Sequence, residues 1–154
     1  MENKFKKWHL IFIVVLLLSY TGLKLWQLRW PNAEVTLAGQ TLKVLVANNN
    51  YHYFKGLSDR KNLGEYSGML FVYNQKFKPT MVMRDMLFPL DIVWFADGKI
   101  VDIAPNLQPE KAAEAQLTKY YPRVEADIVL ELPAGWANKF GLKIGDKLGL
   151  PGKN

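Results

Sequence analysis

Apolar positions follow two regimes along this chain. From Trp8 to Leu23 they run almost unbroken, and beyond Trp30 they break into short alternating stretches. The first pattern predicts a helix from about Trp8 to Trp26. At 1.5 Å per residue it would span roughly 28 Å, close to the ~30 Å thickness of a bilayer core. Leu16 lies at its middle, Trp8 and Trp26 lie where aromatic residues settle at headgroup level, and the Lys24 stem can snorkel to the interface. Trp30-Pro31-Asn32 breaks the helix and opens a linker.

The second pattern predicts strands. Segments 34–37 and 41–47 flank Ala38-Gly39-Gln40, 68–73 is a compact apolar run, and 80–85 is bounded by Pro79 and Pro89. Asn48-Asn49-Asn50 reads as a turn or loop, and 51–66 has no clear period. Two β-branched runs, 90–96 and 99–104, meet at Asp97-Gly98, the preferred chemistry of a two-residue type I′ hairpin. Pairing outward from that turn sets Phe95 against Ile100, Val93 against Asp102 and Asp91 against Ala104. Asp91 and Asp102 would then share a face, diagonally placed at roughly 7–8 Å or less. Both faces of the hairpin are apolar, so a sheet packed on both sides is expected, as in a sandwich or small barrel. Segment 109–117, with Pro first and alanines after, predicts a helix. Segment 125–132 alternates as a strand, Pro133-Ala134-Gly135 turns the chain, and 136–140 reads as a short helix that Gly141 can cap.

Composition sharpens this division. The chain has 154 residues, 49% hydrophobic and 22% charged, with net charge +6 and pI near 9.4. Residues 1–30 hold five basic residues and one acidic, a net +4, which leaves fifteen basic and thirteen acidic, a net +2, for 31–154. The basic character belongs mostly to the apolar helix and its flanks, and the remaining domain gives no electrostatic case for nucleic acid. Lys4, Lys6 and Lys7 against Lys24 and Arg29 favour an N-terminus on the cytoplasmic side. The segment leaving the membrane is crowded with bulky residues rather than an Ala-x-Ala site, which favours an uncleaved signal anchor. The expected organisation is therefore a basic tip and single-pass transmembrane anchor over 1–30, a linker and first strand over 31–41, and a β domain over 42–150. The anchor would sit in the cytoplasmic (inner) membrane, with the domain periplasmic or extracellular. The absence of cysteine excludes disulfides, thiol nucleophiles and cysteine zinc sites.

Several phrases of the domain are familiar when taken in order: Gly68-Met69-Leu70-Phe71, Pro89-Leu90-Asp91-Ile92, Asp97-Gly98, Tyr121-Pro122, Leu130-Glu131-Leu132-Pro133-Ala134-Gly135-Trp136 and Gly141-Leu142-Lys143-Ile144-Gly145-Asp146. Over roughly residues 42–148 the chain resembles the prokaryotic family called domain of unknown function 192 (DUF192). The resemblance implies a mostly β, compact antiparallel fold, jelly-roll-like or barrel-like, with one or two short helices, often exported behind a signal peptide or anchor. It implies no particular activity. Two phrases depart from the family pattern. Gly56-Leu57-Ser58-Asp59-Arg60 stands where members read Gly-Leu-Met-Phe-Arg, and Met81-Val82-Met83-Arg84-Asp85-Met86 stands where they read Phe-Trp-Met-Lys-Asn-Thr.

Candidate chemistry centres on carboxylates and aromatics. Asp91 and Asp102, joined by Arg84 and Asp85, could share a proton or hold a divalent cation; the plain alternative is an Asp91 that accepts backbone N–H bonds or pairs with Arg84. Asp91 with Glu131 or Asp102 would be the pair for carboxylate-only glycoside chemistry. His9 falls in the anchor and His52 stands alone in the domain, so neither a histidine triad nor a two-histidine metal site is available there. Tyr51, Tyr53, Phe54, Tyr120, Tyr121, Trp94 and Trp136 could stack on sugars or peptides, although core packing is the default for Trp94 and Trp136. Met69, Met81, Met83 and Met86 suit soft metals in principle and apolar packing in practice. No cofactor is indicated. The reading that follows is a non-enzymatic module binding an envelope glycan or protein. A small carboxylate enzyme or cation site at Asp91 is the alternative, and a structural subunit of an envelope complex is a third.

Overall fold

The computed structural model describes residues 4–27 and 29–150. Its contacts divide the chain into two units, 1–30 and 31–154. The first contains helix α1, Lys4–Gln27, whose stretch Lys7–Trp26 is long and apolar enough to cross a membrane and is exposed throughout.

The second unit is mostly β. Its strands are β1 (Asn32–Leu37), β2 (Gln40–Ala47), β3 (Gly68–Phe77), β4 (Leu90–Ala96), β5 (Lys99–Leu107) and β6 (Ala126–Pro133), with short helices α2 (Asn50–Lys55) and α3 (Trp136–Lys139). They form one mixed sheet in the order β1-β2-β3-β6-β4-β5. Two hairpins organise it. Ala38 and Gly39 (φ 49° and 74°) join β1 to β2, and Asp97 and Gly98 (φ 51° and 70°) join β4 to β5. Positive φ at both turn positions is the type I′ geometry that Asp-Gly favours.

Three expectations are corrected. The sheet is not wholly antiparallel, because β2 and β3 run parallel, Val44 opposite Gly68 and Ala47 opposite Phe71. Segment 80–85 contributes only an isolated bridge, Met81 with Tyr120. Segment 109–117 forms a single 3₁₀ turn, Glu114–Gln116, rather than a helix. The acidic side chains there are engaged elsewhere: Glu110 accepts the Thr118 amide at 2.9 Å, and Glu114 is clamped to Arg84.

The hairpin register is corrected as well. Phe95 faces Ile100 and Trp94 faces Asp102, so Val101 is an extra residue, a β-bulge. Period-two alternation makes a slip of one residue a change of face. Asp102 therefore lies on the face of Trp94, opposite to that of Asp91, Val93 and Phe95.

One face carries the principal core, including Leu37, Val44, Leu70, Phe95, Ile100, Leu130 and Leu148. The other face buries Met69, Phe71, Ile92, Trp94 and Val129. Leu57, Met81, Met83, Met86 and Leu117 are buried outside the strands, on the connecting segments. Residues 145–149 run back to both edge strands: Thr36 and Gly149 exchange backbone hydrogen bonds, and Ile100 donates to the Asp146 carbonyl.

Candidate functional site

Asp91, at the start of β4, is wholly buried, and its oxygens are saturated by backbone. Oδ1 accepts the amides of Asn106 (2.8 Å) and Gly135 (3.1 Å), and Oδ2 accepts that of Ala137 (2.7 Å). The carboxylate thus ties a second irregularity of β5, where Asn106 adopts φ 54°, to the start of α3. Asp102 is held by the Arg123 guanidinium and by the amides of Ile103 (2.9 Å) and Arg123 (2.6 Å). Burial alone would raise its pKa, but these donors outweigh it and hold the carboxyl below its ordinary value. The Asp91–Asp102 pair expected on one face does not form, and Asp91 and Glu131 also point to opposite faces, since Leu132 is the residue across from Asp91. The paired-carboxylate arrangement is corrected on both counts. Among the described residues no three His, Asp or Glu side chains converge as a metal site would need.

A different set of groups does converge. A cavity of about 470 Å³ opens on the Trp94 face, between α2 with its following turn, β3, segment 79–86 and β6. Its walls are Tyr53, Phe54, Phe71, Tyr73 and Phe77, with Leu57, Met81 and Met86 between them. The rings of Tyr53 and Tyr73 stack at 5.3 Å, and Tyr73 meets Phe77 edge-on at 4.9 Å. The register breaks between Val72 and Phe77, where β3 leaves β6, and this irregularity carries Tyr73. The Tyr53 hydroxyl donates to the Val72 carbonyl at 2.6 Å.

Glu131 lines this cavity from β6, flanked by Met69 of β3 and Ile92 of β4. It is 5% exposed, and its Oε2 has no hydrogen-bond partner among the described residues. Burial pushes its pKa up to about 8, so it is mostly protonated at neutral pH. Burial also raises the Tyr73 hydroxyl, with Glu131 and Tyr53 adding to the effect.

The cations of the cavity wall are spoken for. Arg84 donates Nε to Glu114 at 2.5 Å, Nη2 to the same carboxylate and Nη1 to the Phe54 carbonyl at 2.9 Å, and its guanidinium lies 4.1 Å over the Phe54 ring. Lys55 pairs with Asp59. The Ser58 hydroxyl donates to the Arg84 carbonyl at 2.7 Å.

Of the residues singled out from sequence, the cavity gathers Tyr53, Phe54, Met81, Arg84, Met86 and Glu131. Asp91, Asp102, Asp85, Tyr51 and Trp136 lie outside its walls. Trp136 packs on the principal core and against Phe140 at 4.3 Å, while Tyr51 and Asp85 are exposed. Sequence reasoning missed Phe71, Tyr73, Phe77 and the Glu114 clamp. The available signal was the pair of phrases departing from the family pattern, since Gly56, Leu57, Ser58, Met81, Val82, Arg84 and Met86 all stand on the wall.

Comparison with known proteins agrees with this architecture. No match was found among curated proteins. A crystal structure from Sinorhizobium meliloti 1021, of a protein described as a candidate transcription regulator, is 30% identical, with TM-score 0.71 over 82% of this chain and 98% of that one. A protein of unknown function from Novosphingobium aromaticivorans is also 30% identical, with TM-score 0.64 over 77% of this chain and 84% of its own. A family model described as DUF192, an uncharacterized ACR, matches residues 33–150. The chain belongs to the DUF192 family.

Proposed function

We propose that this is a single-pass membrane-anchored protein displaying its β domain outside the cytoplasm. The domain acts as a binding module, taking one small group of an envelope component into the cavity over Glu131. The observation that carries this reading is the contrast between carboxylates. Asp91 and Asp102 are saturated by structural donors, whereas Glu131 is buried on the wall of an open aromatic cavity with an unpartnered oxygen. An unsatisfied buried polar atom costs about 1–3 kcal/mol, and such costs concentrate where a ligand supplies the missing partner. A volume of about 470 Å³ suits a monosaccharide or one amino-acid side chain. The apolar helix and its flanking lysines support the anchor and its orientation. The tail reaching both edge strands supports a barrel-like closure of the sheet. The S. meliloti protein is described as a candidate transcription regulator, but residues 31–154 of this chain hold a net charge of only +2 and no basic stripe, which speaks against nucleic-acid binding here.

The full chain in maltoside micelles would be screened by thermal shift against monosaccharides, amino acids and small amines. Hits would then be mapped by hydrogen exchange. Stabilisation with protection at 53–58, 71–73 and 81–86 is expected. A flat screen, or protection confined to other segments, would overturn the binding-module reading. Placement is read by a C-terminal alkaline phosphatase fusion, which should be active; an inactive fusion with a fluorescent cytoplasmic counterpart would overturn the orientation.

A further inference from the structure

We infer that the group received by the cavity is an organic cation, an alkylated or primary ammonium, with Glu131 as its counter-ion and the surrounding aromatic rings as its cage. This rests on the cavity being a binding site and names the chemistry it selects.

Three observations point the same way. The charged side chains on the wall are Lys55, Arg84 and Glu131. Lys55 and Arg84 are each neutralised by a carboxylate, Asp59 and Glu114, and Arg84 also donates to the Phe54 carbonyl. An anionic ligand would find both cations already paired with carboxylates. Glu131, in contrast, makes no ion pair among the described residues, and its Oε2 has no donor there.

The second observation is the shape of the polar inventory. Of the uncharged polar side chains on the wall, Asn50, Tyr53, Ser58, Tyr73 and Thr80, the hydroxyls of Tyr53 and Ser58 already donate to backbone carbonyls. A sugar presents a ring of hydroxyls that would need several free donors and acceptors, whereas an ammonium needs one carboxylate and apolar, electron-rich walls. The third is the wall itself. Tyr53, Phe71, Tyr73 and Phe77 supply aromatic quadrupoles, which attract cations by about 0.5–2 kcal/mol depending on desolvation, and Met81 and Met86 supply polarizable thioethers; the Phe54 ring already carries the Arg84 guanidinium.

Binding of a cation requires the ionised carboxylate, so capture releases the Glu131 proton to solvent. The titratable groups around Glu131 in the cavity are Tyr53, Lys55, Tyr73 and Arg84, and its strand neighbours Met69 and Ile92 do not titrate. Both tyrosine hydroxyls are shifted upward by burial, and Arg84 stays charged. Glu131 is thus the group that changes charge between pH 6 and 8, with its pKa raised to about 8 by burial.

The test uses the full chain in maltoside, with choline and its uncharged carbon isostere 3,3-dimethylbutan-1-ol as probes, and n-butylamine to separate quaternary from primary ammonium. Calorimetry should show choline or butylamine binding at least tenfold tighter than the isostere at pH 8. Affinity for choline should rise nearly tenfold per pH unit between 6 and 7.5, with proton release seen across buffers of different ionisation enthalpy. Glu131→Gln should fold, with a melting temperature no lower than the native protein's, and lose the preference for charge. Tyr73→Leu should weaken choline more than the isostere. Equal binding of choline and isostere, or a preference surviving Glu131→Gln, overturns the cation while leaving the binding module intact. Silence of all three probes beside a cavity hit in the wider screen also overturns the cation alone. Silence of every compound in both experiments removes the two readings together.

Discussion

The Asp91 carboxylate and the Ala137 amide meet at 2.7 Å inside the domain, joining the first turn of α3 to the start of β4. The same carboxylate holds the amides of Asn106 and Gly135, so one side chain fixes three backbone segments. Asp91→Asn replaces one acceptor oxygen with an NH₂ that faces donors. Each hydrogen bond to a charged group contributes about 1.5–3 kcal/mol, so a loss of about 3 kcal/mol is expected, with a melting temperature lower by on the order of 10 °C. Thermal unfolding of the variant checks it. An unchanged melting point would return Asp91 to the list of functional groups.

Gly68 begins β3 directly beside the backbone of β6. A Cβ there would stand 2.1 Å from the Glu131 carbonyl oxygen, a backbone atom that cannot move without disturbing the centre of the sheet. Gly68→Ala is therefore expected to cost about 3 kcal/mol or more and to lower the soluble yield of the domain. Gly141→Ala makes the comparison: its φ is +62° and a Cβ would meet open space, so only the left-handed backbone strain of about 1–2 kcal/mol applies. Chemical denaturation of the two variants should rank them in that order.

How far the sequence spoke depended on whether a feature was local. Asp97-Gly98 announces its turn because two residues alone decide whether positive φ is tolerated. The apolar helix and the alternation of 125–132 are equally local. The Val101 bulge left no trace, because residues on both faces of β5 are compatible with burial and either register satisfies the pattern. The parallel pairing of β2 with β3 depends on a twenty-residue connection whose course no periodicity reports. The cavity was the least legible part. Its wall is drawn from α2, the β3 irregularity, segment 79–86 and β6, so only folding brings Tyr73, Arg84 and Glu131 together.

Asp102 and Arg123 form an unequal pair, with side chains 10% and 73% exposed. Arg123→Ala leaves Asp102 its two backbone donors, so a loss of about 1 kcal/mol or less is expected. Asp102→Ala strands both amides in a part-buried setting, and about 2–3 kcal/mol should be lost. The Asp102 pKa is lowered in the folded state, so its contribution is present above the ordinary carboxyl value of 3.8 and is lost as pH falls through the folded value. Melting curves of the three proteins between pH 3 and 7 should converge at the acid end.

Glu131 carries the opposite sign. Its pKa is about 8 in the folded domain against 4.5 for the ordinary group, so the unfolded chain releases the proton first as pH rises. Folded stability attributable to this side chain is complete below about 4.5, declines by at most about 1.4 kcal/mol per pH unit above it, and levels off beyond about 8. Glu131→Gln mimics the protonated acid in shape and charge, so it should match the native protein at pH 4 and exceed it progressively toward pH 9. Ligand-free melting temperatures of both proteins across that range give the measurement. Parallel curves would mean that Glu131 is ionised in the folded domain, which requires a cation or donor beside it even without ligand.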